Sequence, residues 1–146
     1  MGLNKKIINA QPNKYDGIEF KSKLETTAYK VFKNAGFNPK YEKDKIIIWK
    51  GFKPTTPFYS VDKKTKLLKL NNSKLIDITY TPDFTIKIGK YKIYIEVKGR
   101  ENDVFPIKRK LFRNYLEKHK NSLYFEVRNK RQMLQAIEII KNAKFI

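Results

Sequence analysis

From Ser22 onward, apolar residues recur at helical spacing. Leu24, Ala28, Val31, Phe32 and Ala35 fall on one face, and Gly36 offers a stop. Beyond it the period shortens. Ile46 to Trp49 is a short apolar run that reads as a strand, and Gly51, Pro54 and Pro57 interrupt the chain after it. Phe58 to Val61 and Lys66 to Leu70 predict a hairpin around Asp62-Lys63-Lys64-Thr65. Leu75, Ile76, Ile78 and Tyr80 lead into a second hairpin. There Phe84, Ile86 and Ile88 alternate with Thr85 and Lys87, and Gly89-Lys90 supplies a two-residue turn. On its return strand Ile93, Ile95 and Val97 alternate with Tyr94, Glu96 and Lys98.

A helix comes next near Phe105-Pro106, with proline in its first turn. Ile107, Leu111, Phe112, Tyr115 and Leu116 form its apolar side, and Lys108, Arg109, Lys110 and Arg113 crowd the other. Leu123 to Val127 reads as a strand, and Asn129 caps a last helix carrying Met133, Leu134, Ile137 and Ile140. The order predicts an α/β fold, a mixed sheet flanked by helices. Residues 1–18, with Lys5, Lys6 and Lys14, read as a mobile basic arm before a single domain over 19–146.

The return strand carries candidate chemistry. Glu96 and Lys98 project from one face while the apolar set faces a core. Asp83 stands where the first strand begins, and a hairpin brings that end beside Glu96. Asp83 and Glu96 could therefore share one divalent cation, with Lys98 steadying the attacking water or the developing charge at a phosphodiester. An acid, any residue and lysine also occurs at Glu19-Phe20-Lys21 and Asp62-Lys63-Lys64, so the strand setting and Asp83 single out the third copy. The bland alternatives are a turn for Asp83 and an exposed ion-paired strand face for Glu96 and Lys98. Glu25 has two readings. Ser22-Lys23-Leu24-Glu25 fits a capping box, the reading the residues favour on their own, and the other reading adds the Glu25 carboxylate to the site.

Charge favours a polyanionic partner. The 146 residues carry a formal charge of +19, a self-repulsion that needs a partner: nucleic acid first, an anionic membrane surface second. No apolar run reaches the ~18–20 residues that span a bilayer, and no signal-peptide stretch opens the chain. With no cysteine, disulfides and thiolate metal sites are excluded, and a cytoplasmic setting is the simplest expectation. Oxygen ligands predict magnesium, with manganese able to substitute. The sole histidine, His119, lies near a helix end, which argues against histidine-based chemistry. The basic helix face, with Arg100 and Lys98 just before it, is expected to adjoin the carboxylates and grip phosphates. Trp49, Tyr91 and Tyr94 could stack on bases or belong to the core.

The stretches FKSKLE (20–25), YTPDF (80–84), YIEVKG (94–99) and IKRKLF (107–112) stand in the order found in the PD-(D/E)XK nuclease superfamily. Over roughly residues 13–128 the chain resembles the phage endonuclease I family of Holliday-junction resolvases and related phage resolvase-like proteins. The resemblance implies a restriction-endonuclease-like central sheet. It implies that Asp83 and Glu96 ligate the metal, that Lys98 assists the water, and that Glu25 belongs to the site; the Val97 carbonyl could complete the shell. Lys21, inside the first matching stretch, joins Arg100, Lys108, Arg109, Lys110 and Arg113 as an expected DNA contact. A homodimer acting on branched, four-way DNA is implied too, with a 5′-phosphate product. The stretch between Glu25 and Asp83 is longer than the family's, with extra residues around 51–75. A restriction-type or nicking enzyme on ordinary duplex, and a non-catalytic basic nucleic-acid-binding protein, are the rival readings.

Overall fold

The structure, a computed structural model, describes residues 13–143. The first two strands, β1 (Asn13–Tyr15) and β2 (Ile18–Phe20), pair antiparallel around Asp16-Gly17. Both turn residues have positive φ (54° and 76°), as an Asp-Gly hairpin turn demands. The expected mobile arm over 1–18 is therefore corrected. Residues 13–18 belong to the folded domain, where the Tyr29 hydroxyl donates to Asp16 at 2.6 Å. Residues 1–12 lie outside the described residues.

Helix α1 (Lys23–Asn34) starts at the Ser22 cap, and Gly36 follows it at φ 92°. The short strands β3 (Lys40–Tyr41) and β4 (Ile46–Trp49) come next. The hairpin β5 (Tyr59–Val61) and β6 (Leu68–Leu70) then precedes β7 (Ile78–Tyr80). Strands β8 (Phe84–Ile88) and β9 (Tyr91–Val97) form the hairpin that alternation predicts, turning at Gly89 with φ 57°. Helix α2 (Phe105–Leu116), β10 (Ser122–Val127) and α3 (Lys130–Asn142) complete the described chain. Asn129 caps α3 by accepting from Gln132 N–H at 2.9 Å.

The central sheet is mixed, in the order β10-β9-β8-β3. β9 and β10 run parallel, joined by α2, while β9-β8 and β8-β3 are antiparallel. Helices cover both faces, so strand β9 is buried on both sides. Ile93, Ile95 and Val97 pack with α1 and α3, around Phe32, Phe84, Met133 and Ile140. Tyr94 points the other way, into a second cluster with Phe105 and Phe112 of α2 and Ile46, Ile48 and Tyr80 of the β4–β7 ladder. The polar-looking face of β9 is thus interior. Truncating a fully buried ring such as Phe112 would cost about 3–5 kcal/mol.

Two positions assigned to apolar faces are exposed: Ile107 at 59% and Leu134 at 51%. Neither belongs to the two buried clusters or packs against them. Among the described residues no helix is long and apolar enough to cross a membrane.

Candidate active site

Pairing register builds the site. Phe84 lies opposite Ile95, so Asp83, one step before β8, arrives beside Glu96 and Val97. The Val97 N–H donates to Asp83 Oδ2 at 2.7 Å. The bond from Val97 to Asp83 is made by its amide, not by the carbonyl expected to complete a metal shell. Glu96 shares the interior face with Tyr94 and is 6% exposed. The Tyr80 hydroxyl donates to Glu96 Oε1 and lies 3.0 Å from the Tyr124 hydroxyl. Lys98 Nζ stands 3.3 Å from the other carboxylate oxygen, Glu96 Oε2.

Ser22 caps the helix as expected, but Glu25 does not complete the capping box. Its N–H donates to the Ser22 hydroxyl at 3.2 Å, a helix cap. Its carboxylate does not close the box on the Ser22 amide. Instead it accepts the Ser22 hydroxyl at 3.0 Å and the Tyr41 hydroxyl at 3.4 Å, and reaches the cleft.

A fourth carboxylate, Glu42, joins them. It follows β3, whose Tyr41 pairs with Phe84, and its N–H donates to the Asp83 carbonyl at 2.8 Å. A left-handed backbone (φ 45°) turns the chain there, and Lys21 ion-pairs its carboxylate at 2.7 Å. One oxygen each of Glu25, Glu42 and Asp83 lies within 4.8 Å of the other two. Among the described residues the acidic trio close enough to share an ion is thus Glu25–Glu42–Asp83, where the sequence pointed to Asp83 with Glu96. Glu96 lines the same cleft.

Electrostatics follow from burial. Loss of solvent, then the charge of Glu96, pushes the Asp83 carboxyl up to about 9, partly opposed by the Val97 hydrogen bond. Burial also raises Glu96, against the pull of Tyr80 and Lys98. Burial drives the Tyr80 and Tyr41 hydroxyls far above the ordinary tyrosine range, so both stay protonated donors. Carboxylates held this way gain from a hard cation, because oxygen donors and negative charge are what magnesium and manganese prefer.

The cleft has a volume of about 550 Å³ and opens to solvent. Lys21, Lys45, Lys98 and Lys108 line it beside the carboxylates. Of the residues expected to touch phosphate, Lys21 and Lys108 line the cleft. Arg109 does not. Its guanidinium is held by Glu126, with Nη2–Oε2 at 3.0 Å, and by Glu101, and stacks 4.7 Å over Phe105. It braces α2 against β10. Arg100, Lys110 and Arg113 are exposed but do not line the cleft, so the basic helix face adjoins the carboxylates through Lys108 alone.

Of the candidate stacking rings, Tyr94 is buried against Phe112 and Trp49 meets Phe52 edge-on. Tyr91 is half-buried at the β8–β9 turn. His119 stacks on Tyr115 with ring centres 4.0 Å apart, away from the cleft.

A family model described as "Protein of unknown function (DUF1064)" matches residues 5–136, and the chain belongs to that family. No curated protein and no solved structure matches it.

Proposed function

We propose that this chain is a divalent-cation-dependent endonuclease of the PD-(D/E)XK kind, hydrolysing DNA phosphodiesters at branched sites such as four-way junctions. One observation carries the reading. Glu25, Glu42, Asp83 and Glu96 line one open cleft with Lys98 and three further lysines, in a chain of net charge +19. An all-oxygen donor set fits Mg²⁺, or Mn²⁺ in its place, held by Asp83 with Glu96 or with Glu25 and Glu42. The ion, when bound, supplies neutralisation of the phosphate and of the charge that builds on it. The protein's own residues do the rest. Lys98, anchored on Glu96, sits where it can orient a water for in-line attack. Tyr80 fixes the Glu96 carboxylate. Lys21, Lys45 and Lys108 draw the phosphate backbone to the rim. A homodimer presenting two clefts to opposite strands and a 5′-phosphate product complete the proposal, on the resemblance, with action in the cytoplasm expected from the lack of cysteine.

The test is a labelled four-way junction and a linear duplex of the same sequence, each incubated with Mg²⁺ or with EDTA. The expected result is Mg²⁺-dependent cutting, faster on the junction. Equal rates on both substrates would move the assignment to a duplex nuclease. Absence of product at every Mg²⁺ and Mn²⁺ concentration would leave only a nucleic-acid-binding role.

A further inference from the structure

The stretch between β4 and β7 doubles back on itself as an antiparallel arm, with the short β5–β6 ladder at its outer end and isolated hydrogen bonds linking its two sides below that ladder. From its base, Gly51 N–H donates to Asp77 Oδ1 and Leu75 N–H to the Phe52 carbonyl, both at 2.8 Å. Asn71 N–H then reaches the Phe58 carbonyl at 2.8 Å, and β5 pairs with β6 beyond it. The tip is a closed turn. Asp62 N–H donates to the Leu67 carbonyl at 2.8 Å, and Asp62 Oδ1 accepts from the amides of Lys64 (2.7 Å) and Thr65 (3.2 Å).

Register puts Tyr59 opposite Leu70 and Val61 opposite Leu68, so all four share one face. They are 58%, 48%, 59% and 70% exposed, in the order Tyr59, Leu70, Val61 and Leu68. An uncovered two-stranded ribbon is marginal in water. Its charge says what covers it. Residues 51–76 hold six lysines and one acid, Asp62. That carboxylate is engaged in the turn and lies 3.7 Å from Lys69. Lys63, Lys64 and Lys66 at the tip have no carboxylate partner among the described residues. A self-association of two such ribbons would bring like charges together. A polyanion with apolar groove walls matches both features. The major groove, about 12 Å wide, admits a two-stranded ribbon, and thymine methyls offer apolar contact. The ribbon also ends at the cleft, since Thr79 and Tyr80 of β7 and Thr81 after it line that space.

Resting on the nuclease reading, we propose that the 51–76 ribbon is a second nucleic-acid-binding site. It seats in the groove of the duplex beside the cut, with the tip lysines on phosphates and Tyr59, Val61, Leu68 and Leu70 against the groove wall.

The test measures binding of a labelled duplex in EDTA, where no hydrolysis intervenes, across a salt series. The parent is compared with a Lys63→Ser, Lys64→Ser, Lys66→Ser variant and with Leu68→Ser, Leu70→Ser. The tip variant should flatten the slope of log K against log salt by about 0.9 per lysine that contacts phosphate. The leucine variant should weaken binding at fixed salt without changing the oligomeric state seen by sedimentation. A parent that binds steeply, with an unchanged slope in the tip variant, overturns the ribbon site and leaves the nuclease reading standing. A leucine variant that dissociates a dimer at unchanged DNA affinity assigns the face to a second copy instead. A parent without salt-dependent binding overturns both.

Discussion

The Lys98 ammonium lies 3.7 Å from the centre of the Phe105 ring and 3.3 Å from Glu96 Oε2. One lysine is thereby held by a carboxylate and an aromatic face together. The ring is the first residue of α2, and its proline neighbour fixes the start of that helix. Replacing Lys98 with Met should cut the single-turnover rate about 10²- to 10³-fold, as for loss of a charge-stabilising donor, with DNA affinity nearly kept. Phe105→Leu should remove a cation–π contribution of about 0.5–1 kcal/mol, hence a two- to fivefold slower rate, read as rate against Mg²⁺ at saturating DNA. A parent-like rate in Phe105→Leu would reduce the ring to core packing.

Asp83 predicts how stability depends on pH. Its carboxyl titrates at about 9 in the folded chain, against about 3.9 when unfolded. Between those values the folded state holds a proton that the unfolded state has lost. Without a cation, the Asp83 contribution to stability therefore declines as pH rises from about 4 to about 9. Asp83→Asn, which still accepts from Val97, should melt higher than the parent in EDTA at pH 8 and cut nothing. Magnesium should raise the parent's melting temperature and leave the variant's unmoved. Thermal melts across pH, with and without Mg²⁺, read the difference directly. Identical parent and variant curves in EDTA would contradict the buried, protonated state.

Glu42 is expected to matter for the cation more than for the fold. Its side chain is partly exposed, and its backbone amide, not its carboxylate, makes the bond to the Asp83 carbonyl. Glu42→Gln should weaken Mn²⁺ binding about tenfold, seen by calorimetry or by the Mn²⁺ resonance signal, while the melting temperature in EDTA stays within a degree or so. Unchanged Mn²⁺ affinity would remove Glu42 from the donor set.

Arg109 and Lys108 are adjacent, yet opposite outcomes are expected. Arg109→Ala should lower the melting temperature by loosening Glu101 and Glu126 and leave the salt slope of DNA binding alone. Lys108→Ala should do the reverse, flattening that slope by about 0.9 with little change in melting. Salt-series binding and thermal melts on both variants make the comparison.

Part of this architecture was legible in the chain and part was not. The β8–β9 hairpin was, because strict alternation on both sides of Gly89-Lys90 admits little else, and its register brings Asp83 to Glu96 and Val97. Both helix caps were, from Ser22 and Asn129. Glu42 was not. Its strand has two residues, too short for any period, and only tertiary pairing with β8 carries it to the site. The fate of Arg109 was hidden for a related reason: its carboxylate partners lie on the α2 approach and on β10, and a helix's own charge pattern says nothing of them. The Asp16-Gly17 turn was in plain view, but the lysines around it favoured a solvated arm. The β9 face looked polar because Glu96 and Lys98 end it, while Tyr94 on that face already belonged with α2.

At Gly51 a β-carbon would stand 2.0 Å from the Leu75 carbonyl oxygen, so the two strands touch backbone to backbone at the ribbon's root. That crossing separates two regimes of change. Outward of it, residues can be added or lost at the tip for a modest entropic cost. At the crossing itself, any side chain at position 51 would meet the Leu75 and Ile76 backbone and force the root apart, just ahead of β7. The reach of the 51–76 stretch can therefore change without disturbing the acidic cleft, provided that one glycine stays.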